Sequence, residues 1–229
     1  MMTLPNKTSE RPVETWTSIP LADFAEKVAG LGTSRNAGSR GPVVVSVDGR
    51  GGSGKSTLGR NLTEALRGTG HMATLIATDD LAWHAPFFGW APETLEMLLR
   101  PLSSGAEVDF VPAAWKEKGR QGSIVVPGST EFVVFEGVGA SQRAFTGMVD
   151  VSIWVQSDFK LARTLGIARD LETGVNGDEE QTAAFWDEWQ SHELPFLEQD
   201  KPWDRADFVV AGNGPRPLQH DAVSFTTSV

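Results

Sequence analysis

Eight residues near the start of the chain have the types and the spacing of a phosphate-binding loop (P-loop). Residues 49–56 read Gly-Arg-Gly-Gly-Ser-Gly-Lys-Ser, which is the pattern G-x-x-x-x-G-K-[ST]. Glycines let backbone N–H groups curl around phosphate oxygens, and a helix N-terminus adds positive potential. Lys55 could reach the β- and γ-phosphates of a nucleotide, and the Ser56 hydroxyl could ligate Mg²⁺. The residues expected to bind the nucleotide are Gly49, Gly51, Gly52, Ser53, Gly54, Lys55, Ser56 and Thr57.

The segments on either side of the loop support this interpretation. Residues 43–47, Val-Val-Val-Ser-Val, are β-branched and apolar, as in a buried parallel strand. After the loop, Leu58, Leu62 and Leu66 recur on one face of a predicted helix. A loop between a strand and a helix is the context in which the pattern marks a phosphate site, rather than a glycine turn that caps a helix.

Acidic residues follow two further predicted strands. Asp79 and Asp80 follow Thr78 at the end of the predicted strand 72–77, and Glu136 follows the apolar run 132–135. Because ligands of parallel α/β sheets bind beyond the C-terminal strand ends, we expect these carboxylates to face the P-loop. Either aspartate could accept a proton from an attacking hydroxyl or help to hold Mg²⁺, and Glu136 could bind Mg²⁺ or a substrate hydroxyl. The alternatives are an aspartate that caps the next segment and a glutamate at a solvated strand end.

Arginine, histidine and aromatic side chains are the remaining candidates. Arg163 and Arg169 lie on the predicted helix 161–171 and could neutralise charge on a transferring phosphoryl group, or be solvated helix charges. His84 and Trp115 could wall a substrate pocket, although core packing is the commoner role of aromatic side chains.

The composition limits the classes of function. The chain has 229 residues, a net charge of −10 and a pI of about 4.9, which makes it a poor partner for nucleic acid or anionic membranes. It has no cysteine, which excludes disulfides and thiolate metal sites, and it lacks a membrane-length run of about 18 apolar residues. We therefore expect a cytoplasmic protein that binds small molecules.

The elements that must position these residues alternate between strand and helix, which indicates a parallel sheet with crossover helices. Residues 1–40 are expected to form an N-terminal extension with one short helix, residues 41–212 the main domain, and residues 213–229 a tail. A helical lid is expected at about residues 158–185. The predicted core strands are 43–47, 72–77, 132–135, 150–155 and 207–210.

Two further expectations concern the ends of segments. Residues 1–17 are polar and contain two prolines, which predicts a disordered or loosely attached segment. The helix that begins at Gln181 is expected to end at Pro195, because proline removes a backbone donor.

Taken in order, these motifs resemble the uridine kinase family, and especially the uridine-kinase-like proteins among the P-loop small-molecule kinases. The resemblance covers residues 41–212. It implies a nucleoside-monophosphate-kinase-like α/β fold with a five-stranded parallel sheet flanked by helices, and a lid that closes over ATP. It also implies ATP and Mg²⁺ as cofactors and transfer of the γ-phosphate to a hydroxyl of a small molecule. The motifs that carry it are residues 43–57, Asp79-Asp80, Phe135-Glu136-Gly137, Arg163 with Arg169-Asp170, and residues 204–210.

The same resemblance implies roles for individual residues. Asp79 aligns with the catalytic base of the family, Lys55 with its phosphate-binding lysine and Ser56 with its Mg²⁺ ligand. Glu136 aligns with an acidic residue near the metal and the substrate. The arginines that match the lid by position are Arg163 and Arg169.

The chain departs from the family where the acceptor would bind. It has no tyrosine, and residues 80–84 and 110–115 replace an aromatic pair and a Tyr-Asp pair of the family. A site that loses such donors should change its substrate, so the acceptor could be a nucleoside or another alcohol. A nucleotide-binding switch or slow ATPase that acts on a protein partner is the alternative. Large exposed aromatic surface near residues 83–90 would favour the switch, and a closed polar pocket there the kinase.

Overall fold

A computed structural model describes residue 4, residues 8–213 and residues 221–227. Within these residues the chain forms nine strands and eight α-helices. The strands are β1 (Thr17–Pro20), β2 (Val43–Gly49), β3 (Ala73–Ala77), β4 (Val108–Phe110), β5 (Ile124–Val126), β6 (Phe132–Glu136), β7 (Val151–Gln156), β8 (Phe208–Ala211) and β9 (Ala222–Thr227). The helices are α1 (Leu21–Arg35), α2 (Lys55–Gly68), α3 (Thr78–Ala82), α4 (Ala91–Thr94), α5 (Arg100–Ser103), α6 (Ala113–Lys118), α7 (Phe159–Thr173) and α8 (Glu179–Asp200).

Seven of the strands form one sheet in the order β1-β9-β8-β7-β2-β6-β3. The five strands from β8 to β3 are parallel, so the predicted five-stranded parallel core is confirmed. The strands β9 and β1 extend this core in antiparallel pairing, and β4 pairs with β5 apart from the sheet. The strand β2 lies between β6 and β7, which places the loop that follows it at the centre of the C-terminal edge.

Both faces of the sheet are covered. On one face, α1 and α2 bury a cluster that includes Phe24, Phe208 and Phe225, whose ring centres lie 5.2–5.8 Å apart. On the other face, the segments between β3 and β7 bury a second cluster around Phe135 and Trp90. Within the described residues, no helix is long and apolar enough to cross a membrane.

The sequence assigned no strand to the tail, yet residues 222–227 form β9. Val223 and Phe225 are buried on the α1 face, and Ser224 and Thr226, which alternate with them, are more exposed, as in a strand with one buried face. Residues 214–220 and 228–229 of the tail lie outside the described residues.

Two expectations about segment ends are wrong. The helix α8 continues through Pro195 to Asp200, because Leu194 and Leu197 on both sides of the proline are buried and hold the last turns in place. Residues 8–16 are also attached to the domain, and Glu10 among them is only 6% exposed. Residues 1–3 and 5–7 of the same extension lie outside the described residues.

Candidate functional site

The P-loop joins the buried end of β2 to the first turn of α2. Gly52 and Gly54 have φ angles of 74° and 97°, in the left-handed region that favours glycine. A Cβ atom at Gly52 would also overlap the carbonyl oxygen of Ala162 on α7. Lys55 is the first residue of α2 and is buried at the loop, and Thr57 follows in the same turn. The loop therefore has the glycine backbone and the helix N-terminus that a phosphate site needs.

Ser56 and Glu136 meet beside the loop. The Ser56 hydroxyl donates a hydrogen bond to Oε1 of Glu136 at 2.9 Å. Burial raises the pKa of Glu136, the nearby Lys55 charge and the Ser56 hydrogen bond lower it, and Asp79 and Asp48 raise it again. Ala77, two residues before Asp79, pairs with Glu136 across β3 and β6, so Asp79 and Glu136 lie at the same edge of the sheet as Lys55.

The donor atoms of Ser56 and Glu136 fit Mg²⁺. A hydroxyl and a carboxylate supply hard oxygen ligands, and Mg²⁺ in proteins is commonly held by one or two such groups together with substrate phosphates. In the part of the chain that the structure describes, no three His, Asp or Glu side chains converge as a metal site of their own. A magnesium ion at Ser56 and Glu136 would therefore depend on nucleotide phosphates for its other ligands.

Asp48 is a part of the site that the motifs did not reveal. It lies in β2, is fully buried, and accepts hydrogen bonds from the N–H groups of Gly49 (2.7 Å), Gly139 (2.9 Å) and Ser141 (3.0 Å). The Ser141 hydroxyl donates to it as well, at 2.7 Å. Burial raises the pKa of Asp48, and these hydrogen bonds oppose that effect. Asp48 thus ties the start of the P-loop to the loop after Glu136. The signal in the sequence that could have identified Asp48 is an acidic residue at the end of an apolar strand.

The structure separates the two aspartates that follow β3. Asp80 forms an ion pair with Arg120 at 2.5 Å. Asp79, one residue earlier in α3, is exposed, and its charge acts on Glu136. Among the described residues, Asp79 has no basic partner within ion-pair distance, so its carboxylate is available at the edge that carries the P-loop.

The predicted pocket residues lie in different settings. Trp115 is buried, donates its indole N–H to the backbone carbonyl of Asp80 at 2.8 Å, and lies 3.5 Å from the guanidinium carbon of Arg120. His84 is exposed, has a φ angle of 56°, and meets the ring of Trp83 edge-on at 4.3 Å. Trp115 therefore contacts both members of the Asp80–Arg120 ion pair. His84 lies at the surface, in the segment that follows α3.

The helices α7 and α8 form a hairpin, here called the lid hairpin. The two arginines of the expected lid bind side chains of this hairpin. Arg163 donates to Gln190 Oε1 at 2.7 Å and to Asp187 Oδ1 at 2.8 Å. Arg169 donates to the neighbouring Asp170 carboxylate, which also accepts the indole N–H of Trp186. Neither arginine contacts the P-loop in this structure.

The lid hairpin lies directly on the P-loop. The N–H of Gly51 donates to Oε1 of Glu193 at 2.7 Å, and Glu193 is only 1% exposed. A Cβ atom at Gly51 would lie within about 3.0–3.2 Å of Trp189 and Trp186. Burial raises the pKa of Glu193, and the Gly51 hydrogen bond and the charges of Lys55 and Arg50 lower it. Nothing in the local sequence spacing marks Glu193, since its partner is 142 residues away.

Aromatic contacts join the segment after α3 to α8. Phe88 stacks on Phe196 with ring centres 3.9 Å apart, and Phe87 stacks on His192 at 4.5 Å. Both phenylalanines also contact Trp189. These contacts hold the segment after α3 against α8.

No protein-family model matches the sequence, and no curated protein matches it.

Several solved structures share the architecture. A provisionally assigned fructose transport system kinase from Silicibacter sp. TM1040 is 21% identical, with 80% of this chain and 94% of that one covered and a TM-score of 0.56. A possible uridine kinase from Bacillus stearothermophilus is 18% identical, with coverages of 82% and 98% and a TM-score of 0.50. A D-glycerate 3-kinase from Cryptococcus neoformans var. grubii is 15% identical, with coverages of 84% and 95% and a TM-score of 0.60.

This chain has the fold of the P-loop kinases. The resemblance inferred from the motifs is thereby confirmed at the level of the fold, with the P-loop after the central strand and helices on both sides. In this P-loop kinase fold, Lys55, Ser56, Asp79 and Glu136 share the C-terminal edge of the sheet. The lid hairpin covers the loop through Glu193 rather than through its arginines.

Replacing Glu193 by glutamine tests whether burial of the ionised Glu193 side chain lowers the stability of the fold. Because burial raises the pKa of Glu193, the folded protein keeps a proton there at pH values at which the unfolded chain has lost it. The stability of the parent should therefore fall as the pH rises through this window. Glu193→Gln keeps an acceptor for the Gly51 N–H but cannot ionise. Its advantage in free energy of unfolding should grow as the pH rises above the ordinary pKa of a glutamate, as measured by urea unfolding at a series of pH values.

Glu188→Gln is the matched control, because Glu188 is exposed on the same helix. It should follow the pH dependence of the parent. A Glu193→Gln advantage that stays constant with pH would contradict the raised pKa.

Proposed function

We propose that the chain is an ATP- and Mg²⁺-dependent kinase that transfers the γ-phosphate to a hydroxyl group of a small molecule. The observation that carries the proposal is the meeting of the P-loop, the Ser56–Glu136 pair and the exposed Asp79 at one edge of the sheet. Phosphoryl transfer needs little more than positioning and charge stabilisation, and this set of residues supplies both.

Each residue of this edge has one role in the proposal. The P-loop N–H groups and Lys55 bind the phosphates, and Ser56 and Glu136 would hold Mg²⁺. When bound, the metal ion neutralises charge on the β- and γ-phosphate oxygens. Burial of Lys55 keeps bulk water from screening its charge, so its attraction for the phosphates is larger than at an exposed surface.

Asp79 is the residue that we assign as the base. As the acceptor oxygen bonds to the γ-phosphorus, the bond to the bridging oxygen breaks and ADP leaves, and Asp79 takes the hydroxyl proton. The ion pair with Arg120 makes Asp80 the weaker candidate, since Arg120 occupies one of its carboxylate oxygens. Asp80 and Arg120 would instead shape the acceptor side of the site, together with His84 and Trp115.

The arginines of the lid hairpin would reach a phosphoryl group only after a change of partner. Arg163 and Arg169 now bind side chains of the lid hairpin, so contact with a phosphoryl group would require them to exchange those partners. Asp187, the partner of Arg163, is exposed, so that exchange would cost about 1 kcal/mol or less. Asp170, the partner of Arg169, is buried, so the loss of Arg169 would cost more.

The class of acceptor is a small molecule with a free hydroxyl group. Two of the similar structures are described as a possible uridine kinase and a D-glycerate 3-kinase, and uridine and D-glycerate both carry hydroxyls. In the aromatic segment after α3, Phe88 stacks on Phe196 and Trp90 is buried, whereas Phe87 is 40% exposed. One exposed phenylalanine is less than the broad aromatic surface that would favour the switch.

Release of ADP in the presence of candidate acceptors tests the proposal. The protein is given ATP and Mg²⁺ with nucleosides, sugars and hydroxy acids, each added separately. We expect one class of compound to stimulate ADP release many-fold, and Lys55→Ala, which removes the phosphate-binding cation, to abolish the stimulated rate. ATP binding with release that no acceptor stimulates would favour the nucleotide switch or slow ATPase.

Substitution of the two aspartates tests the assignment of the base. Asp79→Asn should lower kcat by about 10²- to 10⁴-fold, the usual contribution of a general base, with little change in the Kd for ATP. Asp80→Asn should have a smaller effect on kcat and a larger one on the KM of the acceptor, because it releases Arg120. A full transfer rate in Asp79→Asn, or a greater loss of kcat in Asp80→Asn, would contradict the assignment.

A further inference from the structure

Arg50, the second residue of the P-loop, carries a buried charge. Arg50 is only 1% exposed, and its guanidinium carbon lies 5.6 Å from the ring centre of Trp154 and 5.9 Å from that of Trp203. Among the described residues, its Nε and Nη1 atoms have no hydrogen-bond partner. A buried cation needs a compensating anion, because desolvation of an unpaired charge is very costly.

The compensating anion comes from the N-terminal segment. Glu10 forms an ion pair with Nη2 of Arg50, and both side chains are almost completely buried. The other carboxylate oxygen of Glu10 accepts hydrogen bonds from Trp154 Nε1 at 2.7 Å and Gln156 Nε2 at 2.9 Å. Since two groups of β7 orient the carboxylate, it meets Arg50 in a fixed position.

The backbone around Glu10 is bound to the same strand and to the lid hairpin. Gln156 accepts the N–H of Val13 at 2.8 Å and donates to the carbonyl of Arg11 at 2.8 Å. The N–H of Ser9 donates to Glu198 on α8 at 2.6 Å. Residues 9–13 therefore link β7, α8 and the P-loop residue Arg50.

The next residue of the loop, Gly51, is held by α8. The N–H of Gly51 binds Glu193 on α8, and the Arg50 charge also acts on Glu193. Two consecutive P-loop residues are thus held by carboxylates outside the loop, one at a side chain and one at the backbone. A freed Arg50 would have to move toward solvent or toward another anion, and the peptide groups on both sides would move with it.

We propose that Glu10 is a positioning residue of the nucleotide site: by binding Arg50 beside Trp154 and Trp203, it holds the first half of the P-loop in its binding shape. This inference rests on the proposed function only where nucleotide affinity is concerned. The alternative is that the N-terminal segment adds stability to the domain without affecting the loop.

Glu10→Gln separates these roles, because it removes the charge and keeps the size of the side chain. Exchange of amide hydrogens in a peptide covering residues 48–57 is measured without nucleotide, and the Kd for ATP by titration, at a temperature at which each variant is folded. We expect faster exchange in this peptide and a Kd raised by about tenfold or more. Glu14→Gln is the control, because Glu14 is exposed in the same segment and should change neither quantity.

The same substitution in an Arg50→Met background tests the coupling directly. With the buried cation gone, Glu10→Gln should have little further effect on exchange or Kd. Equal effects in both backgrounds would overturn the proposal. So would unchanged exchange and Kd in Glu10→Gln, with or without a lower Tm, since that result assigns the segment to stability alone.

Two outcomes need a second readout. If Glu10→Gln does not fold, Glu10→Asp carries the same measurements, and it should show a partial effect because it keeps the charge on a shorter side chain. If the parent binds no ATP, the proposed function fails, and hydrogen exchange of the loop still decides between positioning and stability.

Discussion

The site depends on one constraint: the backbone between β2 and α2 must keep a curled conformation that residues other than glycine rarely adopt. Gly52 and Gly54 satisfy it with φ angles in the left-handed region. The two ends of the curl are fixed by packing, since β2 is held between β6 and β7 and α2 buries Leu58, Leu62 and Leu66. Lys55 and Ser56 then follow at the first turn of α2, so their direction is set by the same constraint.

Buried carboxylates surround this loop, which is unexpected for a chain with a net charge of −10 that would bind a polyanion. Burial raises the pKa of Asp48, Glu136 and Glu193, and each accepts a hydrogen bond from a backbone N–H or a hydroxyl. They act as acceptors that fix the frame of the site. The positive potential is local, from Lys55 and the N-terminus of α2, and a local field suffices to attract phosphate at short range.

The parts of this account that are local in sequence could be predicted, and those that depend on distant contacts could not. The P-loop and the five parallel strands follow from short patterns of glycine and apolar residues. In contrast, the residues around Asp79 and Asp80 do not show which carboxylate is left unpaired, and that depends on the contact of Asp80 with Arg120, 40 residues away. Glu10 lies in a polar segment whose composition predicts disorder, and its burial comes from Arg50 and Trp154. The strand β9 has visible alternation, but over six residues such a pattern is weak.

The most direct test of the central claim is ³¹P NMR of a mixture of the protein, ATP, Mg²⁺ and the compound that best stimulates ADP release. The account predicts a new phosphomonoester resonance that grows in step with ADP and does not form with Lys55→Ala. Formation of ADP with inorganic phosphate alone would contradict it, because the terminal phosphate would then be transferred to water and the site would be that of an ATPase.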